Sequence, residues 1–338
     1  MNRDDLIAIF LARNGYAPSE AVPFAQDASL RRYLRIRGDR PAILMDAPPP
    51  EDVRPFVRIA AHLRGTGLRV PAILEADEEQ GLVLEEDLGD DLLSLLLDRG
   101  DAPDPLLDAA VDSLVVMQRA AAPDWLPAWD AAMMASTALG TLFDWWWPAR
   151  FGDPAPRAAR NDVASALGAM LEPVASGPRC FVHRDFHAGN VLRLPDHRVG
   201  IIDFQGAALG HPAYDLASLL QDNRRDIPQA SRNRALERYL NARPELDPVD
   251  FTEAFNACAA QRHLRVACQW VRLALRDGRP EYLVYGPRTW RLLEDALSQP
   301  AAAPLARAFS RWIPVADRGN PPGLSVPAGV LCQDVSHD

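Results

Sequence analysis

Residues 181–192, FVHRDFHAGNVL, place a polar centre between two apolar, strand-like ends. In that centre, His183 and Asp185 are followed five residues later by Asn190. A carboxylate in a tight loop can receive the proton of an acceptor hydroxyl and fix its line of attack. An amide oxygen can bind a divalent cation that offsets phosphate charge. The spacing predicts that Asp185 is a catalytic base, with His183 in the same catalytic loop, and that Asn190 is a metal ligand.

A second acidic residue follows a short β-branched run. The apolar segments 192–194 and 199–202 flank a proline–aspartate turn signal, which predicts a β-hairpin. This hairpin would bring Asn190, before its first strand, close to Asp203, after its second strand. The two motifs in this order therefore predict that Asn190 and Asp203 share magnesium ions. Either motif alone would be more typical of a polar turn in an α/β domain.

The composition is that of an ordinary globular protein and excludes several classes. Apolar residues make up 48% of the chain, charged residues 24%, and the formal net charge is -10. A nucleic-acid-binding protein would show a basic face, so we expect no nucleic-acid partner. The four cysteines have no C-x-x-C spacing and predict free thiols in a reducing compartment. Without a signal-peptide pattern or a membrane-spanning apolar run, we expect a cytoplasmic monomer with no membrane association.

Periodicity predicts two lobes of different character. Residues 1–87 show a short helix at 4–14, then alternating strand patterns with a helical period inserted at 51–64, which predicts a small antiparallel sheet lobe with one inserted helix. Residues 88–315 are mainly helical, and the Gly/Pro-rich residues 316–338 predict a loose tail. The fold class is therefore α+β. The predicted strands are 21–24, 33–37, 41–45, 70–74 and 82–84.

The motifs together resemble those of the protein-kinase-like fold and, within it, the aminoglycoside phosphotransferase family. Three stretches carry the resemblance: His183-Arg-Asp185 with Asn190, Ile201-Ile-Asp203-Phe204, and Tyr214-Asp215-Leu-Ala. It covers residues from about 20 to 290. The resemblance implies a two-lobe kinase that uses ATP and Mg²⁺, with Asp185 as base and with Asn190 and Asp203 as metal ligands. Asp215 could be an N-terminal acid of its helix or a buried anchor for the catalytic loop.

The nucleotide contacts follow the kinase pattern less closely. The loop at 27–32 has no glycine fingerprint, although Ser29, Arg31 and Arg32 could donate to phosphate oxygens; the alternative is that both arginines project into solvent from a turn. In the kinase pattern V-A-I-K, a lysine ends strand three, and Met45 stands there instead. Either the third strand is misaligned with the pattern, or an arginine such as Arg31, Arg32 or Arg35 supplies the positive charge.

The segment after the fifth predicted strand could hold the adenine. In an extended linker, the carbonyl of Glu85 and the N–H of Asp87 would be spaced to pair with an adenine edge. The alternative is a plain connection from a strand to a helix.

The acceptor class is less specific. Short motifs at 27–33, 44–48 and 203–207 resemble a cell-wall-recycling branch of the family, which implies an amino sugar phosphorylated at its anomeric hydroxyl. The alternatives are a kinase of aminoglycosides or other small alcohols, and a non-catalytic nucleotide-binding pseudokinase. The tryptophan-rich stretch 125–148 is expected to shape the acceptor site, although some of its tryptophans could simply pack the core.

Overall fold

The computed structural model describes residues 2–24, 31–196 and 198–324, which divide into two compact units. The first unit comprises the chain up to Asp101 together with Ala188–Gly206. The second comprises Ala102–His187 and the residues from Ala207 onward. Within the described residues, no helix is long and apolar enough to cross a membrane.

The division differs from the boundary that the sequence indicates at residue 87. The first unit extends to Asp101 and also includes the hairpin, which the sequence assigns to the larger lobe. The reason lies in backbone pairing: isolated β-bridges join Arg69 to Gly200 and Leu92 to Leu192. These bridges fix the hairpin to the first unit.

Thirteen α-helices and ten strands are defined in the described residues. The helices are α1 (Arg3–Arg13), α2 (Arg54–Gly65), α3 (Leu93–Asp98), α4 (Pro103–Arg119), α5 (Ala131–Thr141), α6 (Trp147–Phe151), α7 (Arg157–Met170), α8 (Glu172–Ser176), α9 (Ala213–Leu220), α10 (Gln229–Ala242), α11 (Pro248–Arg276), α12 (Gly286–Leu297) and α13 (Ala303–Trp312). The strands are β1 (Ala21–Phe24), β2 (Arg32–Ile36), β3 (Ala42–Asp46), β4 (Ile73–Asp77), β5 (Leu82–Glu86), β6 (Ala128–Trp129), β7 (Cys180–Val182), β8 (Val191–Arg193), β9 (Val199–Ile201) and β10 (Ala208–Gly210).

The first unit contains the antiparallel sheet that strand alternation predicts. Its five strands follow the order β1-β2-β3-β5-β4. Because side chains alternate along a strand, the sheet has two distinct faces. One face contributes Ile36, Leu44 and Leu84 to a core that also contains Phe10 and Leu11 of α1. The α+β fold class, with five strands and one large inserted helix, is thus confirmed in this unit.

Helix α2 packs on the segment that follows the hairpin. Its apolar period buries Phe56, Ile59 and Leu63. The ring of Phe56 stacks on that of Phe204, with centroids 4.7 Å apart and planes 11° from parallel. A stacked pair of this kind contributes more than its buried area alone. The contact fixes the residue that directly follows Asp203.

The second unit is built around α11, the longest helix at 29 residues. Asp247 caps its N-terminus by accepting from the N–H groups of Val249 and Asp250, which is a favourable arrangement for a helix start. Seventeen of its residues are buried. A small sheet lies in the same unit, with β10 parallel to β6 and antiparallel to β7. Strand β7 leads directly into the catalytic-loop residues.

The tryptophan-rich stretch packs largely into the second unit. Trp146 is fully buried, and its indole N–H donates to the carbonyl of Gly319 at 2.8 Å. Trp147 is buried against Phe143 and Phe151. Packing of the core therefore explains why tryptophan stands at these two positions. The role of the stretch at the acceptor site stays a prediction.

The first part of the expected loose tail is held in place. Arg318 donates to both carboxylate oxygens of Glu294, at 2.9 and 2.8 Å. The side chain of Asn320 donates to the carbonyl of Leu283 at 2.8 Å. These polar contacts, which composition does not reveal, bind the segment to α12 and its surroundings. Residues 325–338 lie outside the described residues.

Candidate active site

Asn190 and Asp203 lie together where the predicted hairpin opens in the first unit. Strands β8 and β9 pair antiparallel from Val191 opposite Ile201. This pairing leaves Asn190 Nδ2 3.4 Å from Asp203 Oδ2. Asp203 adopts a φ of 62°, a left-handed conformation that turns the chain sharply after the strand. The hairpin therefore brings the two predicted metal ligands together.

Gln205 stands where the kinase motif D-F-G has glycine, and it contacts the same carboxylate. Its Nε2 donates to Asp203 Oδ1 at 2.7 Å. Its Oε1 is buried and has no hydrogen-bond partner among the described residues. An amide that fixes one carboxylate oxygen and keeps a buried acceptor beside it can position Asp203 and offer a further oxygen. The sequence shows this substitution but does not show its contact.

The oxygen donors around Asp203 fit a magnesium ion. Magnesium prefers carboxylate, amide and phosphate oxygens and usually takes only one or two carboxylates from the protein. Asp203 supplies a carboxylate, and Asn190 and Gln205 supply amide oxygens. Across the described ranges, no group of three His, Cys, Asp or Glu side chains forms a metal site. A magnesium ion here would therefore depend on one carboxylate, amide oxygens and the phosphates of a nucleotide.

Arg31 and Tyr33 lie near Asp203 in the first unit. Arg31 is 8% exposed, and its Nε donates to Glu51 Oε2 at 3.1 Å. Burial raises the pKa of the Tyr33 hydroxyl, and the charges of Asp203 and Glu85 raise it further, while a hydrogen bond with Arg31 lowers it. The electrostatic coupling shows that these groups are neighbours. Arg31 thus places a guanidinium near the predicted metal ligands.

The chain has no lysine: all 36 of its basic residues are arginines. Met45, at the position of the kinase lysine, is fully buried between Tyr33 and Val83 of the adjacent strands. In protein kinases the strand-three lysine pairs with a glutamate of the inserted helix. Here Arg31 pairs with Glu51, which precedes α2. Whether this ion pair takes the place of the kinase lysine and its glutamate stays a prediction.

The other two candidate arginines have different partners. Arg32 alternates to the opposite face of the sheet, where its Nε donates to Asp46 Oδ2 at 2.8 Å. Arg35 is buried and forms ion pairs with Asp87, at 2.8 Å, and with Asp90. The structure therefore does not bring Arg32 to Asp203 and uses Arg35 internally. Ser29 lies outside the described residues.

Strand β5 ends at Glu86, later than the sequence predicts, and this changes which backbone groups are available to an adenine. Glu85 is an interior residue of this strand, paired with Ile43 on one side and Ile73 on the other. Because β5 has a neighbour on each side, the carbonyl of Glu85 faces another strand instead of a ligand. The side chain of Asp87 binds Arg35 and also accepts from the N–H of Gly89 at 2.9 Å. Free backbone begins only after β5, so the role of the Asp87 N–H stays a prediction.

The carboxyl group of Glu85 is an unexpected feature of this face. It is fully enclosed, and its Oε2 has no hydrogen-bond partner within the described residues. Burial raises its pKa to about 8, with smaller contributions from the charges of Asp87 and Asp203. A substantial fraction is therefore protonated at neutral pH.

In the second unit, Asp215 holds the catalytic loop by its backbone. Asp215 is fully buried, and its carboxylate accepts from the N–H of His183 at 2.7 Å and of Arg184 at 2.9 Å. Of the two roles that the sequence leaves open, the structure supports the buried anchor. The Nδ1 of His183 accepts from the N–H of Asp185 at 3.3 Å. His183 therefore positions Asp185 through the backbone.

The carboxylate of Asp185 lies between two cationic or polar groups of the second unit. Its Oδ1 is 3.2 Å from Arg262 Nη2, and its Oδ2 is 3.4 Å from His187 Nε2. The side chain remains 44% exposed. Burial alone would raise the pKa of Asp185, but His187, Arg262 and Arg224 lower it well below its usual range. At neutral pH this group is an ionised, weakly basic carboxylate.

Sequence reasoning missed three residues that surround Asp185. Arg262 is 3% exposed and lies 77 residues away on α11. His187 is buried and contacts Arg224 Nη1 at 2.8 Å. The guanidinium of Arg224 also lies over the ring of Trp270, 5.5 Å from its centroid. A signal existed for Arg262, since an arginine in the apolar stretch of a long helix needs a buried partner.

Sequence comparison identifies relatives over most of the chain. Residues 20–250 match the phosphotransferase enzyme family. A protein from Caulobacter vibrioides, named N-acetylmuramate/N-acetylglucosamine kinase, is 36% identical over 94% of this chain and 98% of its own length. A protein of the same name from Pseudomonas aeruginosa is 37% identical over 83% of this chain and 85% of its own length.

Solved structures with low sequence identity share the fold. A choline/ethanolamine kinase family protein from Mesorhizobium loti aligns with a TM-score of 0.64 and 16% identity, covering 92% of this chain and 100% of that chain. An aminoglycoside phosphotransferase in ternary complex with ADP and hygromycin B aligns with a TM-score of 0.59 and 16% identity, covering 88% and 99%. The predicted kinase-like fold is therefore confirmed. With the family match over more than half of its length, the chain belongs to the phosphotransferase enzyme family.

Proposed function

We propose that this phosphotransferase uses ATP and magnesium to phosphorylate the anomeric hydroxyl of N-acetylmuramate and N-acetylglucosamine, within peptidoglycan recycling. The names of the relatives at 36% and 37% identity support the sugar, and the ADP complex of a structural neighbour supports the nucleotide. The observation that carries the proposal is the ionised carboxylate of Asp185, fixed between Arg262 and His187.

The low basicity of Asp185 favours an anomeric hydroxyl as acceptor. A carboxylate is a weak base for any sugar hydroxyl, and the neighbouring positive charge makes Asp185 weaker still. An anomeric hydroxyl is more acidic than the other hydroxyls of a sugar, so it needs a weaker base. Asp185 would therefore act mainly by orienting this hydroxyl, and it would accept its proton as the bond to phosphorus forms.

The first unit would supply the nucleotide contacts. Asn190 and Asp203 would hold magnesium, with Gln205 fixing the carboxylate of Asp203, and the metal would neutralise charge on the β- and γ-phosphates. Arg31, held by Glu51, would contact the phosphates in place of a lysine. These assignments agree with a kinase that keeps the metal ligands but has changed the phosphate-binding cation.

The product identifies the reaction. The purified chain is incubated with ATP, magnesium and each sugar, and the product is examined by phosphorus NMR. We expect a sugar 1-phosphate, whose phosphorus couples to the anomeric proton. A 6-phosphate would retain the kinase assignment but contradict the anomeric one. No ATP-dependent product with either sugar would contradict the proposed substrates.

The rival acceptors of the family are cationic. Aminoglycosides and choline carry positive charge, and a site for them would need acidic side chains near the catalytic carboxylate. In the second unit, Asp185 instead has Arg262 and Arg224 as neighbours. This arrangement favours a neutral or anionic acceptor, and turnover of N-acetylmuramate alongside an aminoglycoside and choline measures the preference directly.

A further inference from the structure

An excess of positive charge surrounds Asp185 in the second unit. Arg262 contacts its carboxylate at 3.2 Å, and the charge of Arg224 contributes to its low pKa. Arg184, the preceding residue, interacts electrostatically with Asp185 and with Arg265. The chain as a whole has a formal net charge of -10. Three arginines therefore act on the carboxylate of Asp185, and Arg265 acts on one of them, Arg184, which is a local excess of positive charge in a molecule of negative net charge.

The acidic residues of this region do not neutralise all four. Asp185 is paired with Arg262, and Asp215 accepts the backbone N–H groups of the catalytic loop. In residues 2–24, 31–196 and 198–324, no carboxylate lies within ion-pair distance of Arg224 or Arg265. These two arginines are defined here as the unpaired arginine pair.

The polar contacts of the unpaired arginine pair leave donors available. The side chain of Arg224 has one polar contact among the described residues, between Nη1 and His187 Nε2 at 2.8 Å, and its guanidinium lies over Trp270. Arg265 contacts the hydroxyl of Tyr214 at 3.4 Å from Nη2, and its buried Nε has no hydrogen-bond partner among the described residues. Both side chains are partly exposed. The charge of Arg224 also acts on the buried Asp222, whose direct ion pair is with Arg225. Partly buried guanidinium groups without a direct ion-pair partner are costly unless a ligand anion completes them.

The unpaired arginine pair distinguishes the two proposed sugars. N-acetylmuramate differs from N-acetylglucosamine by a lactyl ether that carries a carboxylate. Arginine matches a carboxylate in geometry as well as in charge. Resting on the proposed function, we propose that Arg224 and Arg265 form a subsite for the lactyl carboxylate of the acceptor. The subsite would make N-acetylmuramate the preferred substrate.

A double variant tests the subsite. In R224Q/R265Q, kcat/KM for N-acetylmuramate should fall roughly 10- to 100-fold, as expected when a charge-assisted hydrogen bond is lost. Because Arg224 also acts on Asp185, the readout is the comparison of the two sugars: kcat/KM for N-acetylglucosamine should fall much less than that for N-acetylmuramate, and its turnover also reports that the variant is folded. The single variants R224Q and R265Q should each lose part of the preference for N-acetylmuramate over N-acetylglucosamine. A double variant that retains the wild-type preference would overturn the proposal.

Two controls separate a carboxylate subsite from a general charge effect. R234Q/R238Q removes the same charge from exposed arginines that pair with Asp108 and Asp112 on α4, and it should keep the wild-type preference. The methyl ester of N-acetylmuramate keeps the shape of the sugar without its charge, so wild-type enzyme should not prefer it over N-acetylglucosamine. An equal preference for the acid and the ester contradicts the subsite. Wild-type enzyme that phosphorylates neither sugar contradicts the proposed function instead.

Discussion

At the scale of single residues, Asp185 provides the most direct test of catalysis. Asp185→Asn keeps an oxygen that can accept from Arg262 but removes the negative charge that we propose orients the acceptor hydroxyl. We expect kcat to fall on the order of a hundredfold or more, with little change in ATP affinity. Steady-state kinetics and nucleotide titration measure the two effects. A near-normal kcat would contradict a catalytic role for Asp185. Asp196→Asn, at the exposed hairpin turn, removes the same charge and serves as the control.

Gln205 is a second residue whose contact makes a specific prediction. Gln205→Ala removes the amide that donates to Asp203 Oδ1 at 2.7 Å, so the carboxylate becomes less well oriented. The magnesium concentration that gives half-maximal activity should rise several-fold, while saturating magnesium restores most of the rate. Unchanged magnesium dependence would show that Gln205 does not support the metal ligand.

At the scale of elements, the two arginines just outside the ends of strand β2 have different surroundings. Arg31 pairs with Glu51 near Asp203, whereas Arg37 beyond the other end of β2 is exposed. If Arg31 contacts the phosphates, Arg31→Ala should raise the KM for ATP roughly tenfold. Arg37→Ala should leave it unchanged. Equal nucleotide KM values in both variants would exclude Arg31 from the phosphate site.

Strand β5 contains a buried carboxyl group that links stability to pH. The pKa of Glu85 is about 8 in the folded protein and close to 4.5 when the chain is unfolded. Between these values the folded state binds more protons, so the group lowers stability progressively as pH rises from about 4.5 to 8. Glu85→Gln should therefore raise the melting temperature more at pH 8 than at pH 5 in metal-free buffer.

A matched substitution isolates the effect of burial at Glu85. Glu75 lies on the adjacent strand β4 and is exposed, so Glu75→Gln removes the same charge without removing a buried one. Thermal melts of both variants at the two pH values give the comparison. A pH-independent change for Glu85→Gln would mean that the carboxyl group titrates normally.

At the scale of the whole molecule, local patterns account for more of the fold than of the site. Alternation predicts the five-stranded sheet, and the turn signal between β8 and β9 predicts the contact of Asn190 with Asp203. Alternation could also have predicted that Arg32 lies on the opposite face of the sheet from Arg31. Arg262 on α11 and Arg224 in the segment after α9 could not be assigned from sequence, because tertiary packing brings them to Asp185 from distant positions. Burial of Glu85 within β5 likewise depends on strands at both sides.

The absence of lysine from this chain, with Met45 at the position of the kinase lysine, also determines how the protein can be detected. Reactive nucleotide probes that transfer an acyl group to the phosphate-binding lysine depend on a side-chain amine, and this chain has none. A guanidinium stays protonated and does not form a stable amide under the same conditions. We expect such probes to leave the side chains of the purified, ATP-binding protein unlabelled, with mass spectrometry as the readout. Surveys of kinases by lysine acylation would therefore overlook this enzyme even where it is abundant and active.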